Sequence, residues 1–415
     1  MPTRAKTSPF SRVATLALVL VAAPSAAQPV PGAPDDNPPA TLTGALGQGF
    51  TFRTKDNSSA LNLRARTQVQ AFTETKAEDP KTGRTERPDV GFLVRRMRVV
   101  FQGHVHKKEF RYYVQLGFSP RDQESDLLVP VRDAQLIWTG LRDLNVRFGQ
   151  MKVPFNRERV VSSSALGMVD RSNVNGELNL DRDLGIMLQS RDLFGLRELL
   201  RYNLGVFGGD GRNRTTSGTG LLYAARVEVA PFGSFDDYSE VDFKRSSKPR
   251  LAIGFATGYS EATPRSRATT GDTLKAGTLD YRHGAADVIF KMGGLSVQSE
   301  VLFRKASQTV LRRVDEAGKT VTEHPRNAWG YMVQAGYLID GHLEPSLRYG
   351  EVRPLDTSNA KLQRDREIGG GLSYYFHKHD LKIQADYFRL LTDADPAGVN
   401  VLERDRVRIQ GQVFF

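Results

Sequence analysis

The chain has 415 residues, no cysteine and a formal net charge of +11. Without thiols it has neither a disulfide framework nor cysteine-based metal sites or nucleophiles. A basic balance suits nucleic acid, an anionic surface or small anions, and the first element, an export signal, argues against nucleic acid.

Arg4, Lys6 and Arg12 precede the apolar run Val13–Ala23, and Ser25, Ala26 and Ala27 follow it. That layout predicts a secretory signal peptide over 1–27. The apolar run falls short of the roughly 20 residues that a spanning helix needs. Residues 28–48 open with QPVPGAPDDNPPA and read as a Pro-rich periplasmic lead-in. The remainder, 49–415, reads as one outer-membrane barrel domain. No later apolar run is long enough for a membrane helix.

Sixteen segments then alternate apolar and polar residues. They lie near 60–73, 93–105, 108–119, 130–139, 143–152, 183–190, 199–208, 221–231, 249–259, 282–292, 294–306, 327–338, 341–351, 365–377, 380–391 and 404–415. In the first, Leu61, Leu63, Ala65, Val69 and Ala71 share one face, and Asn62, Arg64, Arg66, Gln68 and Gln70 share the other. Side chains alternate faces along a strand, so each segment has one apolar and one polar surface.

A soluble sandwich shares this pattern, but three features favour a membrane barrel. The segments are long enough to cross a bilayer at a tilt, which takes about 9–11 residues. Aromatics such as Phe110, Phe118, Trp138, Tyr259, Trp329, Tyr331, Tyr374 and Phe376 sit at the ends of apolar faces, as interfacial girdles do. Short and long connections alternate, as periplasmic turns and external loops do. The expected fold is all-β: a 16-stranded antiparallel transmembrane β-barrel with a long, inward-folded third loop. Barrels of about 16–18 strands leave an aqueous channel. One connection, 232–248, is too long for a periplasmic turn. It is either a periplasmic insertion or a local slip in the strand count.

On the polar faces lie Arg64, Arg66, Arg96, Arg98, Arg111, Arg147, Arg304, Arg348, Arg406 and Arg408. Acidic residues there are fewer. A lumen lined by guanidinium groups attracts anions, and the planar fork of Arg suits phosphate and carboxylate.

The long insert 153–182 follows the fifth strand. Its Val160, Val161, Leu166, Met168 and Val169 are too apolar for a freely solvated loop. Packed against the wall inside the barrel, it would narrow the channel and place Lys152, Arg157, Arg159 and Arg171 at the constriction. An external loop covering a neighbouring subunit is the alternative. Strict alternation from Arg147 turns Lys152 outward, unless Pro154 bends the strand first.

The run FGQMKVPFNRE, with MVDRSNVN, DRDLGIMLQ and VRRMRVVFQG, resembles the phosphate-selective porin O and P family. The matching residues are Gly149, Gln150, Lys152, Pro154 and Phe155, then Arg182, Asp183 and Gly185, and a terminal Phe. The resemblance implies a sixteen-stranded barrel, usually a homotrimer in outer-membrane lipid, with a folded-in third loop and basic residues guiding small anions such as phosphate. A single Lys in or beside the insert departs from the Lys cluster of the best-known phosphate-selective members.

His104 with His106, and His377 with His379, have strand spacing for one face, but both pairs fall at periplasmic ends, and no metal site is expected. No cofactor and no catalytic motif is expected either. The function read from the sequence is an outer-membrane porin for passive diffusion of small hydrophilic solutes, anion-preferring, with phosphate or polyphosphate selectivity as its narrower form. Alternatives are a general, weakly selective porin, a non-conducting surface barrel or adhesin, and an outer-membrane lipase.

Overall fold

The computed structural model describes residues 41–75, 87–124, 127–215, 220–394 and 400–415. The expected export signal, 1–27, and most of the expected lead-in lie outside the described residues. Sixteen strands form the barrel: β1 (Ala60–Glu74), β2 (Asp89–Val105), β3 (Lys107–Gly117), β4 (Val131–Trp138), β5 (Asn145–Lys152), β6 (Arg182–Ser190), β7 (Leu200–Phe207), β8 (Leu222–Val229), β9 (Arg250–Thr263), β10 (Leu279–Met292), β11 (Leu295–Ala306), β12 (Ala328–Tyr337), β13 (Leu343–Pro354), β14 (Asp365–His377), β15 (Leu381–Asp393) and β16 (Val401–Phe414). Each matches one expected segment. Every strand pairs antiparallel with its neighbour in sequence. β16 pairs with β1 from Arg406↔Glu74 to Phe414↔Arg66, which closes the barrel. Closure leaves no strand edge in lipid, where an unpaired backbone group has no water to bond.

The alternation sorts as the pattern requires. On β1, Arg66, Gln68 and Gln70 are buried in the lumen, while Val69 is exposed on the outer wall. Exposed Leu136, Phe148, Ile186, Leu204, Phe255, Leu347, Ile368 and Ile409 continue that apolar wall. Aromatic contacts mark its rims: Tyr374 meets Phe376 at 4.8 Å and Trp329 stacks on Tyr331 at 5.9 Å.

Residues 41–48, grouped by sequence with the lead-in, are structured. Thr41–Ala45 and Gly49–Arg53 form a hairpin whose second strand pairs with the start of β1. It occupies the stretch of β1 below the end of β16, where Ala65 and Phe415 exchange backbone hydrogen bonds. The polar-rich lead-in composition hid it, because its pairing partner lies in the barrel.

The third loop, 153–181, folds into the lumen. Val153, Phe155, Val174, Leu178 and Leu180 join wall residues Leu279, Tyr281, Leu302 and Met332 in one buried apolar cluster. Burial of each such side chain is worth roughly 1.5–3 kcal/mol, so the loop docks rather than swings. It carries two short helices, α1 (Arg157–Val160) and α2 (Asn173–Leu178). The Ser172 hydroxyl caps α2 by accepting from the Asn175 N–H at 3.1 Å, which satisfies a donor that the helix itself leaves open.

The connection from β8 to β9 is a periplasmic-side insertion, and the strand count is intact. It too folds inward. Val241 packs with Leu338 and Tyr375, and Lys291 donates to the carbonyls of Asp236, Ser239 and Val241 at 2.6, 2.6 and 2.9 Å. It meets the third loop directly: the Glu240 N–H donates to the Ala165 carbonyl, and the Gly167 N–H to the Glu240 carboxylate at 2.9 Å. The lumen is therefore narrowed by two segments that brace each other.

Candidate functional site

Arg157, expected at the constriction, is an anchor of the third loop. Its three nitrogens donate to Asp287 (2.8 Å), Asp237 (2.9 Å) and Glu228 (2.9 Å), and its side chain is 1% exposed. Wall, insertion and loop are joined at this one guanidinium. Asp170 is a second anchor. Arg95 reaches it through two nitrogens and Arg96 at 2.8 Å, while Arg348 donates to its carbonyl at 2.8 Å. Burial pushes the Glu158 carboxyl up to about 7, with Arg348 opposing and Glu240 adding to the rise. That carboxyl accepts from the Ser172 N–H and hydroxyl, both at 2.6 Å.

With the loop held on one side, two adjoining cavities open along the β2–β8 wall. The outer one, about 170 Å³, is lined by ten basic residues, two acidic ones and Ser163. The inner one, about 360 Å³, is lined by polar and apolar side chains. Arg98, Lys152, Ser163 and Arg182 border both. They form the rim between the two cavities, a basic eyelet.

The eyelet cations differ in compensation. Arg98 holds Asp122 at 2.5 Å, and Arg182 holds Asp133 at 3.0 Å. The Lys152 ammonium donates to the carbonyls of Val160 (2.8 Å) and Val161 (3.2 Å) and forms no salt bridge among the described residues. Lys152 faces the passage despite the parity of β5. The register of β5 runs unbroken on both sides through Gly149, and Met151 keeps the inward parity of Arg147. Lys152 is the last residue of β5, two before Pro154, and there the alternation ends: it borders the inner cavity beside Met151.

The other expected residues divide. Arg159 pairs with Asp181, Arg171 donates to the carbonyls of Glu158 (2.6 Å) and Val161 (2.7 Å), and both line the outer cavity, as Arg96 and Arg98 do. Arg147 lines the inner cavity and donates to Gln135 at 3.4 Å. Arg66 donates to the Ser163 hydroxyl at 2.9 Å. Arg304 binds Glu177 of α2, Arg348 binds Glu367 and Arg408 binds Asp386, so these three are neutralised where they stand. Arg406 sits 3.8 Å from Glu367. Arg64 bonds Gln102 at 3.1 Å, and Arg111 bonds the Lys108 carbonyl at 3.1 Å. The His pairs diverge at one end: His377 meets Asp380, and His379 meets Ser239.

Alternation misses Arg95, Arg121, Arg132 and Arg212 of the outer cavity. Arg95 and Arg132 fall in register shifts of β2 and β4. Such a bulge adds a residue to one strand and re-aims its side chains. Arg121 and Arg212 come from outer loops. The paired Arg95-Arg96 is the only signal the sequence holds for the first.

The family model for phosphate-selective porin O and P matches residues 63–415. The chain belongs to that family. It is an outer-membrane porin, and barrel, in-folded loop and open cavities are those of a channel. An uncharacterized protein of Aquifex aeolicus (strain VF5) is 24% identical to this porin over 311 residues, 69% of each chain. Among solved structures, the anion-selective porin from Comamonas acidovorans superposes with a TM-score of 0.57 at 12% identity, covering 86% of this chain and 100% of the other. The outer membrane channel DcaP of Acinetobacter baumannii gives 0.56 at 14% identity, covering 89% and 100%. At such identities the likeness is one of fold.

Proposed function

We propose that this porin passes small hydrophilic solutes by diffusion and prefers anions, phosphate among them, with 1–27 directing export and the mature chain working as a homotrimer. The observation that carries the reading is the eyelet: three cations border both cavities, and one of them, Lys152, has no carboxylate partner among the described residues. A fixed positive field raises anion occupancy and lowers that of cations. Bonds that are few and shared let the ion leave again. The general, weakly selective porin is favoured by a different observation, the neutralisation of Arg304, Arg348 and Arg408 by carboxylates.

Reversal potential across a planar bilayer in a potassium chloride gradient separates them. Chloride preference, with chloride current blocked by added phosphate, is expected. Potassium preference would sink the anion reading, and chloride preference without phosphate block would leave the general porin.

A further inference from the structure

The two cavities flanking the eyelet differ in chemistry. The outer one presents charge and one hydroxyl. The inner one keeps a basic excess, with Arg147, Arg191, Arg201 and Arg226 against Asp133 and Glu228. It adds an apolar patch of Met151, Pro154, Val160 and Met187 with the ring of Tyr113. An inorganic anion is served by the cations alone, and apolar walls offer it no bond in place of its water.

We propose that the inner cavity is a binding site for organic carboxylates with an apolar body, of which an aromatic monocarboxylate is the simplest. The proposal deepens the anion-preferring reading and rests on it. The volume of the cavity, about 360 Å³, lies within the roughly 300–1,000 Å³ of small-molecule sites; its lining sets an apolar patch among many cations and amides, so a ligand there needs both a charge and an apolar body. Met151 and Lys152 are consecutive and both border it, so an ammonium and a thioether face the same space. The Val160 carbonyl holds that ammonium at 2.8 Å, and the Val160 residue also borders the cavity. A carboxylate at Lys152 and Arg98 accepts charge-assisted hydrogen bonds. Its body then covers Met151, Met187 and Val160, removing apolar surface from water. Methionine adapts to irregular apolar shapes and packs favourably on aromatic rings.

The test is block of chloride current in a planar bilayer by benzoate, acetate and phosphate. Benzoate is expected to reach half-block at a concentration about tenfold below acetate, the scale by which an apolar pocket separates ligands that differ by a small apolar group. In M187S the benzoate-to-acetate ratio is expected to fall to within about twofold. Equal block by benzoate and acetate, or phosphate blocking below benzoate, would overturn the site while chloride preference in the reversal potential still upholds the porin reading. Absence of chloride preference would overturn both. If M187S fails to assemble, cyclohexanecarboxylate against acetate on the unaltered protein decides the same question: equal block removes the site, and stronger block by the cyclic acid supports it.

Discussion

At the eyelet, Arg98 and Arg182 each face a carboxylate, whereas Lys152 is held by two backbone carbonyls. A partnered cation projects a dipole into the passage, and an unpartnered one projects a charge. Removing a unit charge a few ångströms from a passing ion changes its energy by about 1 kcal/mol in watery surroundings. Lys152→Gln is therefore expected to lower the chloride-to-potassium permeability ratio about fivefold, read from reversal potentials. Arg157 is the contrast. Its loss leaves three buried carboxylates short of a partner, and breaking such a pair costs about 3–5 kcal/mol. Arg157→Gln is expected to lower thermal stability by that order and to change the permeability ratio less than twofold. Equal loss of selectivity in both variants would put Arg157 in the passage instead.

At the scale of elements, the third loop is positioned from below by the insertion between β8 and β9. His379, in the periplasmic turn before β15, bonds Ser239 of the insertion at 2.9 Å and meets Phe243 ring to ring at 4.9 Å. Burial, helped by Lys382 and Lys291, holds its imidazole well below the ordinary value. A depressed folded value means that the support is complete above about 6.5 and is lost as pH falls toward the folded value. Acidification from about pH 7 to about 4 is expected to speed protease cleavage within 232–248 in detergent micelles, and His379→Phe to flatten that dependence. Cleavage independent of pH in the unaltered protein would remove His379 as the clasp.

For the whole molecule, the outer cavity's ten basic against two acidic residues make selectivity a matter of summed field as well as direct bonding. Salt shortens the reach of such a field from about 10 Å at 0.1 M to about 3 Å at 1 M. The chloride-to-potassium ratio is expected to fall toward unity between those concentrations. A ratio that holds steady would mean that direct coordination at the eyelet, rather than the wider field, makes the choice.

The sixteen strands were legible in the sequence because the lipid and the water-filled lumen impose opposite demands on alternate residues, and that demand is local. The apolar side of 153–182 foretold its docking for the same reason. What the sequence left open depends on distant partners. Which arginines stay charged toward the passage turns on carboxylates such as Asp170 and Glu177, each far along the chain from the cation it answers. Bulges at Arg95 and Arg132 and the end of β5 at Lys152 turn side chains against the repeat. Periodicity thus determined the barrel by itself. Only the tertiary structure decided which of its many cations stand at the eyelet, because charge compensation is set by who meets across the lumen.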